Sequence, residues 1–242
     1  MYFEFVELDF QQTPHGEISL RRRAEPRLDG KILYEVKLGD EFLMSSLFTE
    51  AEEQLATMGL ATLAGKELDV VIGGLGLGYT ARAALEFANV RSLQVVEVMG
   101  PVIDWHENHL VPLGEALTAD SRCHFLHADF FGLANSEAQG FFPHAPEMLA
   151  HALLLDIDHS PSHWLNPENQ GFYCREGLQC VANKLHSGGL FGMWSNDPPE
   201  QSYMDLLGQV FMDVRSEIIH FPNPYSGGES TNTLYFATAP NA

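Results

Sequence analysis

Asp69-Val70-Val71-Ile72-Gly73-Gly74-Leu75-Gly76-Leu77-Gly78 is the stretch whose reading decides the fold. After Asp69, Val70-Val71-Ile72 is a short apolar run of β-branched side chains, the pattern of a strand buried on both faces. Four glycines then crowd into six positions, and TARAALEFA (80–88) follows with helical composition. Strand, glycine turn and helix in that order build a ligand cradle. Glycine permits positive φ and lets a ligand approach the backbone, while the helix start offers unpaired N–H groups. Alone, the same turn serves equally well as a tight structural corner.

Outward from this turn the chain alternates strand and helix. Strands are expected at 92–98, 124–129, 152–158 and 190–194, and helices at 102–110, 169–185 and 200–211. Two closing strands, 213–221 and 232–238, have no helix between them. Such alternation predicts an α/β fold: a mostly parallel, Rossmann-like sheet of seven strands with helices on both faces and an antiparallel last strand. Upstream, FEFVEL (3–8), EISLRRR (17–23), ILYEVKL (32–38) and EFLMSS (41–46) read as strands broken by turn residues. They form a small antiparallel β unit over 1–48, ahead of the main domain at 49–242. Thr49-Glu50-Ala51-Glu52 is a helix-capping signal, continued by the apolar face of Leu55, Met58, Leu60 and Leu63. Residues 132–150, rich in Phe, Ala and Pro, read as an insertion.

Composition limits the function. The chain has 13 Lys and Arg against 33 Asp and Glu, a formal charge of -20. Phosphate binding needs clustered cations, so nucleic acid and anionic membrane are not expected partners. Cys123, Cys174 and Cys180 are odd in number and lack metal-ligand spacing, the usage of reduced thiols in a cytoplasmic protein. The first residues show no signal-peptide pattern, and no apolar run approaches the roughly 20 residues of a membrane helix. No metal is expected: His106 and His109 lie three apart on a helix, without further ligands in pattern.

Acids at strand ends give the glycine turn its chemistry. Glu97 closes the second strand, where a carboxylate accepts both hydroxyls of a ribose. Asp129 closes the third, within reach of an adenine amino group, and Asp156 the fourth. Gly76, Gly78 and Ala81 also fit the dinucleotide fingerprint G-x-G-x-x-A. A pyrophosphate, however, wants donors and cations where this chain offers carboxylates. A cationic sulfonium suits them better. S-adenosylmethionine or its decarboxylated form is therefore the expected cofactor, held by Gly73, Gly74, Gly76, Gly78, Glu97 and Asp129.

Over most of its length the chain resembles the spermidine synthase family, on the class I methyltransferase fold. DVVIGGLGLG (69–78) is similar to the family's glycine motif, QVVEV (94–98) to its ribose strand and HADFF (127–131) to its adenine segment. LLLDIDHSP (153–161) resembles the catalytic-acid loop, Phe172-Tyr173 its paired aromatics and PYSGG (224–228) its tyrosine loop. The resemblance implies a cytoplasmic enzyme, often a homodimer, that moves an aminopropyl group onto a diamine. It implies catalytic roles for Asp156 and Tyr225, with His159 and Tyr173 contacting the acceptor; Asp158, adjacent on the same titratable loop, is a further catalytic candidate.

Three departures bear on the reaction. The family's glycine motif carries an Asp that holds the donor's primary amine, where this chain has Gly76. The second acid of the catalytic loop falls at His159, beside Asp158, and a diamine-lining Tyr falls at Ala51. Loss of a carboxylate that pairs with a buried amine weakens binding by on the order of 2–5 kcal/mol. Gly76 also removes a repulsion against an intact cofactor's carboxylate. These changes favour methyl over aminopropyl transfer to a small-molecule amine. True aminopropyl transfer, and a silent nucleoside-binding or scaffold protein, stand as alternatives.

Overall fold

Strands buried on both faces must be covered by helices on both sides, and the central strand meets that demand along its whole length. In the computed structural model, which describes residues 5–63, 65–137 and 140–241, β5 (Leu68–Gly73) has all six residues buried. Around it lie β6 (Val90–Glu97), β7 (Cys123–His127), β8 (Ala150–Leu155), β9 (Leu185–Ser195), β10 (Met212–Asn223) and β11 (Gly228–Thr238). They form one sheet in the order β10-β11-β9-β8-β5-β6-β7. The pairs β5–β6, β5–β8, β6–β7 and β8–β9 are parallel, whereas β11 runs antiparallel to both β9 and β10.

The chain leaves β5 toward β6 and β7 on one side and returns to β8 and β9 on the other. The order therefore reverses beside β5, and the crevice beyond the ends of β5 and β8 is where a ligand site forms.

The helices are α1 (Glu50–Ala61), α2 (Tyr79–Leu85), α3 (Gly100–Glu107), α4 (Gly114–Ala119), α5 (Phe130–Asn135), α6 (Arg175–Ala182) and α7 (Gln201–Leu207). One core packs α1, α2 and α3 against one sheet face, and a second, aromatic-rich core packs α5, α6 and α7 against the other. The N-terminal strands β1 (Phe5–Thr13), β2 (Gly16–Glu25), β3 (Lys31–Leu38) and β4 (Glu41–Ser45) form a separate antiparallel sheet in sequential order. Ile18, Leu20 and Val36 of this small sheet join the first core. The Trp105 indole N–H donates to Asp9 at 2.6 Å, tying β1 to α3.

Several boundaries differ from the sequence reading. The helix expected over 169–185 is a 3-10 turn, Pro167–Phe172, followed by α6. Cys174 breaks the run because it adopts extended backbone and caps α6 through its sulfur. β9 starts at Leu185 rather than 190, since Gly188 takes positive φ and lets the strand continue. α4 and α5 were not expected, and α5 occupies the start of the supposed insertion. Thr49 precedes α1 as expected, but its hydroxyl bonds the Glu53 carboxylate instead of a backbone N–H. The first two residues of the FEFVEL strand and residues 138–139 of the insertion lie outside the described residues.

Candidate functional site

β5 ends at Gly73, and the turn after it is shaped by two glycines in particular. Gly74 has φ +94°, and a Cβ there would run into the backbone carbonyl of Asp156. That carbonyl is close because β8 pairs with β5: the Asp156 N–H donates to Gly73 O at 2.8 Å. Gly76 has φ +47°, and a Cβ there would overlap the thioether of Met44 from β4. Behind the turn, the His106 Nε2–H donates to the Gly76 carbonyl at 2.9 Å. Burial drives the His106 pKa down to about 4, so the ring is neutral and holds the turn without charging it.

Gly74 and Gly76 open onto a cavity of about 1480 Å³ beyond the ends of β5, β6 and β8, roofed by the N-terminal sheet through Ile18, Val36 and Met44. Glu97, Asp129 and Asp156 line it together, as their strand-end positions predict. Glu97 accepts the Leu75 N–H at 2.9 Å on one carboxylate oxygen and the Met99 N–H at 2.8 Å on the other. Each oxygen has a second lone pair, so two hydroxyls of a sugar can still be accepted. Burial raises the Glu97 pKa, and the surrounding backbone N–H groups work against that rise by favouring the ionised form. Asp129 caps α5, accepting from Phe131 N at 3.0 Å and Gly132 N at 3.1 Å, while still facing the cavity. Asp129 is thus a helix cap as well as a cavity acid. Asp156 caps nothing: it accepts the Thr80 hydroxyl at 3.0 Å.

The other expected site residues fall differently. Gly73 packs under Phe130, and Gly78 is the left-handed residue before α2, backed by Leu117 and His106. Both shape the turn from beneath. His159 does line the cavity, where its Nε2 meets the Glu41 carboxylate at 2.6 Å.

Asp158, Tyr173 and Tyr225 are not among the lining residues. Asp158 is 1% exposed and turned into its own loop, accepting from Leu165 N (2.8 Å), Asn169 Nδ2 (2.9 Å) and Tyr173 Oη (2.8 Å). In a continued strand two acids two residues apart would share a face; β8 ends at Leu155, and the loop that follows turns Asp158 away from the cavity that Asp156 lines. Tyr225 hydrogen-bonds Arg23 and Glu25, both at 2.9 Å, and packs edge-on against Phe48, which does line the cavity. His106 and His109 diverge, the latter bonding the Thr118 hydroxyl.

Two residues that sequence reasoning missed complete the site. Glu52 of α1 lines the cavity although it sits in an acidic run. Its signal was register: Glu52 shares a helix face with Leu55, Ala56 and Gly59, all buried. Burial, and then repulsion from Asp156, push its pKa up; burial also raises Asp156. Met44, the second, lies over Gly76 with its sulfur 3.1 Å from the Leu77 N–H.

No family model matches the chain. Among solved structures, a spermidine synthase in complex with the transition-state analogue AdoDATO superposes with a TM-score of 0.74 at 18% identity, covering 98% of this chain and 74% of that one. Spermidine synthase from Thermotoga maritima gives 0.71 at 18% identity, over 98% and 73%. The fold is that of spermidine synthase. Within it, the preference for methyl transfer drawn from Gly76 loses its footing. The place an Asp side chain would take is filled by Met44, so glycine opens no berth there for a cofactor carboxylate. The likeness to two spermidine synthases gives methyl transfer no support either.

Proposed function

We propose that this chain is an aminopropyltransferase acting on decarboxylated S-adenosylmethionine and a small-molecule amine. The observation that carries the reading is the charge of the cavity. Glu52, Glu97, Asp129, Asp156 and Glu168 line it, with neither Lys nor Arg among the described lining residues. Decarboxylated S-adenosylmethionine brings two positive charges, a sulfonium and an ammonium, whereas the intact cofactor adds a carboxylate. One carboxylate about 5 Å from another costs about 3 kcal/mol at an effective dielectric of about 20, enough to separate the two donors by about a hundredfold.

The donor supplies a methylene carbon bonded to its sulfonium; the acceptor nitrogen attacks it, the C–S bond breaks and methylthioadenosine leaves. Glu97 takes the ribose hydroxyls, and Asp129 sits where it can accept from the adenine amino group. Asp156, oriented by Thr80, receives the proton that the acceptor nitrogen loses. The low-dielectric walls of Phe130, Ile157 and Trp194 exclude water and strengthen these carboxylate contacts. Much of the rate comes from aligning nitrogen, carbon and sulfur, which needs no further catalytic group.

Calorimetric titration with the decarboxylated and intact cofactors tests the donor. Tighter binding of the decarboxylated form is expected, and equal or reversed affinities would reject the assignment.

A further inference from the structure

Glu52 and Asp156 are two buried carboxylates facing one cavity with neither Lys nor Arg among the described residues that line it. Glu52 comes from α1 and Asp156 from the end of β8. The groups that act on Glu52 are Asp156 across the cavity and Glu50 and Glu53 on its own helix. Glu52 in turn acts on the Tyr79 phenol at the start of α2, and His159 lines the same cavity while pairing with Glu41. Asp156 has the Thr80 hydroxyl as its neutral partner. Two carboxylates held this way repel each other until a proton or a ligand cation comes between them. Their place beside Thr80 and Tyr79, just past the glycine turn, sets them at the donor's end of the cavity. Met44 meanwhile covers Gly76, so the turn itself offers no side-chain carboxylate to an ammonium.

We propose that Glu52 and Asp156 together bind the primary ammonium of the donor's three-carbon tail, and that Glu52 is the residue that selects for that ammonium. The proposal rests on the aminopropyltransferase reading and names the group that makes the donor site specific. Burial raises both groups, which favours a proton held by the pair in the free protein. An arriving ammonium replaces that proton, so binding releases it to solvent.

The test is calorimetric titration at pH 7 in phosphate and in Tris buffer, which differ in ionisation enthalpy. The probes are decarboxylated S-adenosylmethionine, methylthioadenosine, which lacks the ammonium, and 1,3-diaminopropane alone. For the wild type, the ammonium-bearing nucleoside is expected to show a buffer-dependent enthalpy that reports proton release, and methylthioadenosine none. Glu52→Gln, nearly isosteric, is expected to weaken the first nucleoside tenfold or more, abolish its buffer dependence and leave methylthioadenosine within twofold. Equal weakening of both nucleosides, or of neither, would overturn the proposal. If neither nucleoside binds the wild type, the adenosyl reading falls, and the diamine decides the ammonium site: binding that Glu52→Gln abolishes upholds it, and binding unaffected by the substitution, or no binding, overturns it.

Discussion

Replacing Asp158 by Ala separates a structural role from a catalytic one at the residue the sequence places in the catalytic loop. Its carboxylate holds three donors inside the loop: the Leu165 N–H, the Asn169 amide and the Tyr173 hydroxyl. Truncation leaves all three without their acceptor in a site where Asp158 is 1% exposed. A buried donor left unsatisfied costs about 1–3 kcal/mol. Some of this is offset, because burial raises the Asp158 pKa and its removal relieves that desolvation. A net loss of about 3–4 kcal/mol follows, a large share of the roughly 5–15 kcal/mol that holds a domain. For a chain of this size that is a fall in Tm of about 10 °C. Asp158→Asn keeps an oxygen for Leu165 and Asn169, and Tyr173 can turn its hydroxyl to accept from the new amide. It is expected to fall by only about 1–2 kcal/mol. Thermal unfolding followed by circular dichroism reads both. An Asp158→Ala protein that melts with the wild type but has lost amine binding would refute the structural assignment and return Asp158 to the site.

Glu97→Ala removes the acceptor of the Leu75 and Met99 amides and, on the proposed reading, of two sugar hydroxyls; adenosyl-ligand affinity is expected to drop by about 2–4 kcal/mol in equilibrium titration, with adenine-free amines unaffected. Gly76→Asp alone is expected to destabilise the fold and weaken the donor, because the new side chain overlaps Met44, whereas adding Met44→Ala restores Tm; a single variant that melts normally would contradict the packing at that contact. The pH dependence of stability follows from Glu52 and Asp156. Their folded pKa values are raised, so their favourable contribution is complete below the usual carboxylate range and is lost as pH rises through the folded values. Glu52→Gln is therefore expected to melt higher than the wild type at pH 8 and to flatten the decline of up to about 1.4 kcal/mol per pH unit above pH 5. Parallel Tm–pH curves for the two proteins would contradict this.

The fold was legible because its central unit is local. Residues 69–88 contain the buried strand, the glycine turn and the helix in one run, and the inner strands that follow are apolar blocks between turn signals. α4 and α5 escaped because six residues give too little sequence for a 3.6-residue period to declare itself. The break between the 3-10 turn and α6 depends on Cys174 acting as a cap, which cysteine rarely signals. Within the site, Glu97, Asp129 and Asp156 were readable because parallel strands deliver their last residues to a common edge. Glu52 and Met44 were not, since their roles arise where α1 and the N-terminal sheet fold over the glycine turn, more than twenty residues away in sequence. Asp158 looked equivalent to Asp156 because a spacing of two puts both acids on one face of a strand, but the strand stops at Leu155 and Asp158 folds into its own loop. Tyr225 touches Phe48, which lines the cavity, but is itself held by Arg23 and Glu25 outside the lining residues, a placement that depends on the N-terminal sheet.

The most direct measurement is the nucleoside product formed when the protein is incubated with decarboxylated and intact S-adenosylmethionine together and a mixture of primary amines, followed by mass spectrometry. The account predicts methylthioadenosine and an aminopropylated amine, both lost with Asp156→Asn. S-adenosylhomocysteine with a methylated amine, or no product from a protein that binds the donor, would contradict it.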